Sequence, residues 1–462
     1  MVTEPAEQQV ANPYYTYGIL YLSHNFRQWE QSKGPRYREY RRAWAQRPQQ
    51  RDHGEFPLNI NLEVTTRCNL ACTFCSQPSL TKEQLGDMPW ELYTKVIDEG
   101  ERYHVAAANL NGLGEPLLLR QLPRMIGYAK QHGFIDVMFH TNGTVMTDAI
   151  ANALIDAGLD RIIFSVDSPD QQTYEEMRIG SNWKRVVANV RRFAEVRNGL
   201  GRSVPIIRTT MVVTDKTAHQ VRGFVSLWKP LADQITLQDL TWRTKVLENG
   251  EWSNREQSAI PVEMDEVREE AIRRKVSFVC PYLYQSAYAF WNGDVIPCSN
   301  PNARKHMIMG QLEQQSLHEV WQGKTYQDLR QLHASGRWYE HPVCRSCEIP
   351  LIELYKALEH QGVTFEGEPR AVGTPTQPGA VAPLPALPVA SEMAPEGETQ
   401  GDLVMQFQNQ SATPTTAEPM RQATEGHVGK PLPVIQNPPA HQGCSCAHPQ
   451  KDEDAGGSCC QR

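Results

Sequence analysis

The chain lacks any run of about 18 apolar residues, so no membrane-spanning helix is expected. Its opening, Met1-Val-Thr-Glu-Pro-Ala-Glu, has neither the basic nor the apolar region of a secretion signal. It lacks a basic excess as well. A net charge of −7 gives no support to nucleic-acid binding, for which a basic domain is required. With no export signal, the 11 cysteines, several in x2 and x3 pairs, read as reduced thiols for metal and not as disulfides. The expected setting is a reducing cytoplasm, with no nucleic-acid and no membrane partner. The 462 residues allow two or three domains at roughly 150 residues each, although a barrel alone can take 200 or more.

One local shortage points to chemistry. Cys68, Cys72 and Cys75, in T-T-R-C-N-L-A-C-T-F-C-S, give C-x3-C-x2-C with no fourth cysteine beside them. Three thiols cannot close a four-ligand structural zinc site without outside help. They suit a [4Fe–4S] cube in which three irons take cysteine and the fourth stays open to a substrate or cofactor. Zinc remains the alternative for the bare pattern.

Residues 1–55 form a basic, aromatic extension. Tyr37, Tyr40 and Trp44 fall at helical spacing, which predicts a short amphipathic helix covering the next domain. The alternative is a docking surface for an acidic partner or leader peptide. Residues 56–242 alternate strand and helix. Strands are predicted over Leu58–Val64, Ala106–Asn111, Ile135–Phe139, Arg161–Val166, Pro205–Val213 and Gln234–Leu240. Helices are predicted from Trp90, with Pro89 in the first turn, and over Gln121–His132, Asp148–Ala157, Trp183–Val196 and Ala218–Trp228. Six such units imply a parallel α/β sheet, a partial (β/α)6 barrel short of the closed eight-stranded form. Ligands are then expected at the carboxyl ends of the strands, where the cysteine triad sits. Residues 243–275 read as a charged connector. Residues 276–363 form a small module with a hairpin at Ala287–Pro297, whose Asn292-Gly293 suits a type I′ turn. Residues 364–462, rich in Pro, Ala, Gln and Thr, read as a disordered tail. The tail ends in a segment carrying Cys444, Cys446, Cys459 and Cys460, for which an exposed thiol tail is the plain reading. Metal or thiol delivery, or a substrate-like peptide fused in cis, are the sharper ones.

The triad, with Phe74 before its last cysteine, resembles the signature of the radical S-adenosylmethionine (SAM) enzymes. Asn111-Gly-Leu-Gly-Glu-Pro116 resembles that family's G-G-E-P segment, with Leu113 between the glycines as a departure. Phe139-His-Thr-Asn-Gly-Thr144 and Phe164-Ser-Val-Asp-Ser168 resemble its T-N-G and S-x-D segments. The resemblance implies a SAM site built from Gly112, Gly114, Glu115, Thr141, Asn142, Ser165 and Asp167. Arg178 is implied as a partner for SAM's carboxylate, and Arg208 is a second candidate. Asp239, at the end of the sixth strand, is a candidate general base by location alone.

Cys280, Cys298, Cys344 and Cys347, spaced C-x17-C, a long gap, then C-x2-C, suit either closed zinc or a fully ligated [4Fe–4S] cluster. Asn292–Cys298, Met309-Gly-Gln-Leu and Ser316–Trp321 resemble the auxiliary-cluster extension called twitch, a shortened SPASM domain, which implies one auxiliary cluster. The resemblance therefore implies a radical SAM oxidoreductase. Its reduced cluster, supplied by a flavodoxin or ferredoxin, would split SAM to a 5′-deoxyadenosyl radical that abstracts a substrate hydrogen. The auxiliary cluster would accept an electron in a dehydrogenase-like oxidation of a small molecule or peptide side chain. The alternatives are a maturase of a ribosomally made peptide, forming a thioether, epimer or cross-link, and a non-catalytic iron–sulfur or zinc protein.

Overall fold

A computed structural model of the chain describes residues 17–363, except 215, 240–244, 247–251, 254–263 and 346. The predicted tail, with its four cysteines, lies outside the described residues.

Alternation along the strands decides the layers. In Asp136–Thr141, Val137 and Phe139 are fully buried on one side, while Met138 and His140 on the other face are half-buried. The strands are β1 Tyr17–Leu22, β2 Asn59–Leu62, β3 Ala107–Asn109, β4 Asp136–Thr141, β5 Arg161–Ser165, β6 Ile206–Val213, β7 Gln234–Asp239, β8 Ser286–Ala289, β9 Asp294–Ile296 and β10 Gly310–Gln311. From β2 to β7 each pairs in parallel with the next, which gives the six-stranded array expected from the sequence. Predicted strand ends agree to within a few residues, because the strands stop where the chain bends into the site loops.

Before this array lie α1 (His24–Ser32) and α2 (Gly34–Gln50). Packed over its apolar face are α3 (Trp90–Arg102), α4 (Leu122–Gln131), α5 (Asp148–Asp156), α6 (Gln171–Met177), α7 (Trp183–Gly199) and α8 (Val221–Trp228). Their stripes at three- and four-residue spacing, such as Tyr93, Val96 and Ile97 in α3, are fully buried. Pro89 is the residue before α3 and not inside its first turn. A further helix, Met264–Arg273, falls in the predicted connector.

The sheet is wider than the sequence suggests, with order β1-β7-β6-β5-β4-β3-β2-β8-β9-β10. On one side β1 adds antiparallel to β7. On the other, β8 pairs in parallel with β2, from Ser286↔Asn59 to Ala289↔Leu62, so the small module shares the sheet of the larger one. The β8–β9 turn also differs from expectation. Phe290 N–H donates to Asp294 O (2.8 Å) and Gly293 N–H to Phe290 O (3.0 Å), and of the Asn292-Gly293 pair Gly293 alone has positive φ, at 86°. A type I′ turn needs positive φ at both positions. The loop is instead a type I turn closed by a left-handed glycine.

Helices α1 and α2 close the amino-terminal end of the strands. Phe26, Trp29, Tyr37 and Tyr40 form one buried aromatic cluster with Ala106, Ala107 and Ile206, which lie at strand starts. Its rings meet edge-on or tilted, Trp29 to Tyr37 at 5.7 Å and Tyr37 to Tyr40 at 6.0 Å. Several basic residues of the extension are spent on the domain beneath. Arg36 donates to the carbonyls of Gly133, His104 and Val105, Arg47 to those of His53 and Phe56, and Lys33 pairs with Asp160. The helix thus covers the next domain, as its spacing predicts. Trp29→Ala should lower unfolding stability by about 3–5 kcal/mol, the cost of emptying a large aromatic site. Chemical denaturation of the full chain measures it, and a loss below about 1 kcal/mol would contradict a sealed strand end.

Candidate active site

The cysteine loop leaves the end of β2 and is held against its surroundings by backbone bonds. Gly114 N–H donates to Thr65 O (3.2 Å) and Glu115 N–H to Arg67 O (2.8 Å). The approach is so close that a Cβ at Gly114 would stand 2.5 Å from Thr65 O and 2.7 Å from Arg67 O, which explains the glycine. Farther along, Ala71–Cys72 pairs antiparallel with Arg178–Ile179, and Cys75 N–H donates to Cys72 O (3.1 Å).

All three thiols are free, half-buried and within electrostatic reach of one another. Burial pushes each above its ordinary pKa, Cys72 to about 11, with Arg178 opposing the rise there. N–H donors are nevertheless turned on the sulfurs. Gln77 N–H lies 3.4 Å from Cys75 Sγ, Arg178 Nη1 3.8 Å from Cys72 Sγ and Asn142 Nδ2 3.9 Å from Cys68 Sγ. Buried sulfurs that stay protonated alone, yet collect donors, suit thiolates whose charge is offset by bound metal. Among the described residues no three His, Cys, Asp or Glu side chains converge on one ion. Three cysteines with no fourth ligand beside them fit a cluster with one iron per sulfur and one iron left open.

Around the triad the motif residues gather as the sequence implies, but several side chains do different work. Buried Glu115 accepts from Thr141 Oγ1 (2.7 Å), Asn142 N–H (2.6 Å) and Leu117 N–H (3.1 Å). Its carboxylate is thus engaged inside the protein. Burial raises its pKa, against these three hydrogen bonds and the more distant Arg178. Asn142 joins Asn69 (3.0 Å) and Thr144 (2.7 Å), which locks the T-N-G turn to the cysteine loop. Asp167, fully buried, accepts from Arg178 Nε (2.6 Å) and Val212 N–H (2.9 Å). Burial opposes the charge on Arg178, but Asp167 and Cys72 outweigh it and hold its pKa up. Arg178 is therefore a fixed cation beside Cys72, with Phe74 5.5 Å away.

Ser165, Thr210 and Thr236 stand in register on neighbouring strands, as do His140, Ile163 and Arg208 one step below. Arg208 Nε donates to Thr210 (3.1 Å) and Thr236 (3.0 Å), so it lies deeper along the sheet than the turn residues. Burial, with Arg208 and Arg161, pushes His140 down to about 3 and keeps it neutral. Asp239 ends β7 opposite Val213, and its side chain lies outside the described residues.

Cys280, Cys298, Cys344 and Cys347 are also brought together, with all three others acting on Cys344. Burial pushes Cys280 up to about 12 and Cys298 to about 11, while backbone N–H groups of Tyr282 and Leu283, and of Asn300, donate to the two sulfurs. Four cysteines at one place suit a closed zinc site or a fully ligated cluster.

Sequence reasoning missed Glu63 and Arg304. Glu63, 2% exposed, pairs with Arg304 of the small module and accepts from Leu113 N–H (3.2 Å), while Arg304 lies 3.8 Å over Phe290. A carboxylate directly after an apolar strand was the available signal. Gly114→Ala should drive the cysteine loop off its neighbours and cost one cluster. Iron in the reconstituted protein should fall from about eight to about four per chain, and retention of all the iron would contradict the close approach.

Residues 62–225 match the model of the radical SAM superfamily, and residues 280–348 that of the iron–sulfur cluster-binding domain SPASM. Such domains carry SAM with a [4Fe–4S] cluster, and auxiliary iron–sulfur clusters, respectively. The chain is 24% identical over 316 residues to the tungsten-containing aldehyde ferredoxin oxidoreductase cofactor-modifying protein of Pyrococcus furiosus, covering 63% of this chain and 87% of that one. It is 25% identical over 316 residues to the PqqA peptide cyclase of Xanthomonas axonopodis pv. citri, covering 63% and 80%. A probable GTP 3′,8-cyclase of Methanococcus maripaludis is 31% identical over 144 residues, which span 31% of this chain and 48% of that protein. With both cysteine sets inside the matched regions and the parallel sheet beneath them, the chain belongs to the radical SAM superfamily and carries a SPASM-type auxiliary-cluster domain.

Proposed function

We propose that this radical SAM enzyme matures a ribosomally made peptide, with oxidation of a side chain as the net outcome. What supports this most is the reach of the similarity. The two relatives matched over 316 residues are named for modifying a cofactor and for cyclising a peptide, and 87% and 80% of their lengths are covered. The first reading of the sequence, dehydrogenase-like oxidation of a small molecule or peptide side chain, gains less support than the maturase alternative.

In this reading Cys68, Cys72 and Cys75 hold the SAM-binding cluster, and Cys280, Cys298, Cys344 and Cys347 an auxiliary one. When bound, SAM and its cluster supply a 5′-deoxyadenosyl radical that removes one hydrogen atom from the substrate. The chain's residues prepare the site. The Gly112–Gly114 backbone allows close approach, with Glu115 as the positioning residue that fixes the T-N-G turn from below. Thr141, Asn142 and Ser165 wall the SAM position. Arg178, oriented by Asp167, lends positive charge to Cys72, and Arg208 offers a fork for a carboxylate. Asp239 is the candidate general base. An electron leaving the substrate can be lodged within the Cys280–Cys347 set. A flavodoxin or ferredoxin is the expected donor of the first electron.

Reconstituted anaerobically with dithionite and SAM, the protein should form 5′-deoxyadenosine. Cys72→Ala should abolish it, and Cys344→Ala should preserve it while removing one cluster's iron. The substrate class is tested by co-expression with short peptides encoded beside the gene. Mass spectrometry should show loss of two hydrogens with wild type and none with Cys72→Ala. Unmodified peptides, together with turnover of a small alcohol, would reverse the assignment.

A further inference from the structure

The helix Lys324–Ala334 carries a histidine that nothing above uses. His333 is 4% exposed, and both its ring nitrogens are buried with no hydrogen-bond partner among the described residues. A buried polar atom left unpaired costs about 1–3 kcal/mol, so two on one ring call for a partner that the described side chains do not supply. Burial, with His341 adding to it, holds the ring down at about 4. At neutral pH it therefore carries one N–H and one lone pair.

Its surroundings indicate that partner. The ring lies 6.5 Å from that of Phe278, two residues before Cys280, and Phe278 stands 6.3 Å from Trp338. Cys280 and Cys344 both pack against the apolar cluster that contains Phe278 and Trp338. From the other direction comes His341, whose Nδ1 accepts from Val343 N–H (3.3 Å), directly before Cys344. His333 is thus flanked by the two segments that deliver Cys280 and Cys344. A neutral N–H in the apolar wall against which Cys280 and Cys344 pack has sulfur as its natural acceptor.

We propose that the imidazole N–H of His333 donates a hydrogen bond to a sulfur of the cluster held by Cys280, Cys298, Cys344 and Cys347, and so sets that cluster's potential. The inference rests on the assignment of those four cysteines. Hydrogen bonds to sulfur stabilise the more negative, reduced state, so the donor raises the potential. His333 acts through the cluster and is a positioning residue, not a catalytic one.

Redox titration of the anaerobically reconstituted full chain, followed by EPR, tests this. Wild type should show two cluster signals. In His333→Phe the auxiliary cluster should become harder to reduce by roughly tenfold in equilibrium constant, about 59 mV for one electron, with the SAM cluster unchanged. His333→Gln, which keeps an N–H donor, should stay nearer wild type. An unshifted potential in His333→Phe with all its iron would overturn the proposal. If His333→Phe loses the auxiliary iron, wild type labelled with 15N-histidine decides by ENDOR. A weak nitrogen coupling at the auxiliary cluster supports a hydrogen bond, and a strong one, marking a ligand, or none at all, overturns it. A single cluster signal in wild type would instead remove the four-cysteine assignment itself.

Discussion

The buried carboxylate of Glu115 is the point on which the site's arrangement depends. A carboxylate out of water is costly unless its lone pairs are filled. Here they take donors from the T-N-G turn and from its own following turn, while its backbone N–H is given to Arg67 O in the cysteine loop. One residue thus joins the loops after β2, β3 and β4. The Asn142–Asn69 bond closes the same circuit from the other side. Loops at the carboxyl edge of a parallel sheet have no sheet partners of their own, and without such a tie the three cysteines would have no fixed separation.

The second constraint is the shared sheet. Because β8 pairs residue for residue with β2, the small module is not a bead on a linker, and its cysteines are referenced to the strand that leads into Cys68. Side chains reinforce the register. Glu99 of α3 accepts the N–H groups of Leu317 (2.8 Å) and His318 (2.7 Å), at the positive end of the helix Leu317–Gln322. Glu63 and Arg304 repeat the pattern at the mouth of the sheet. One continuous hydrogen-bonded sheet thus carries both the strand that leads into Cys68 and the strand between Cys280 and Cys298.

What could be read from the sequence was what local rules determine. Strand and helix periods located six βα units, and cysteine spacing located both thiol sets, because these depend on residues close in the chain. What escaped depends on partners far apart. The pairing of β8 with β2 joins residues about 225 positions distant, and nothing in Ser286–Ala289 announces it. The protein partners of Glu115 and Asp167, from Thr141 and Asn142 to Arg178 and Val212, were equally out of reach, since a motif fixes which residues are present and not which way they face. The β8–β9 turn failed for a related reason: Asn-Gly permits a type I′ turn, but the register with β10 and the lengths of both strands decide its form.

The aromatic closure at the amino end of the strands bears on what the inner face can hold. With Trp29, Tyr37 and Tyr40 packed beneath Arg161, and Arg161 bound to Asp136 by two bonds of 2.8 and 2.6 Å, that cation is neutralised and part of the floor. Higher up, Arg208 leans on two threonine hydroxyls, those of Thr210 and Thr236. His140, held neutral, adds no charge of either sign. The charge along this inner row therefore changes little across the working pH range. Polarity here is set by arginines that cannot deprotonate and a histidine too buried to protonate, so it is decided by geometry and not by pH.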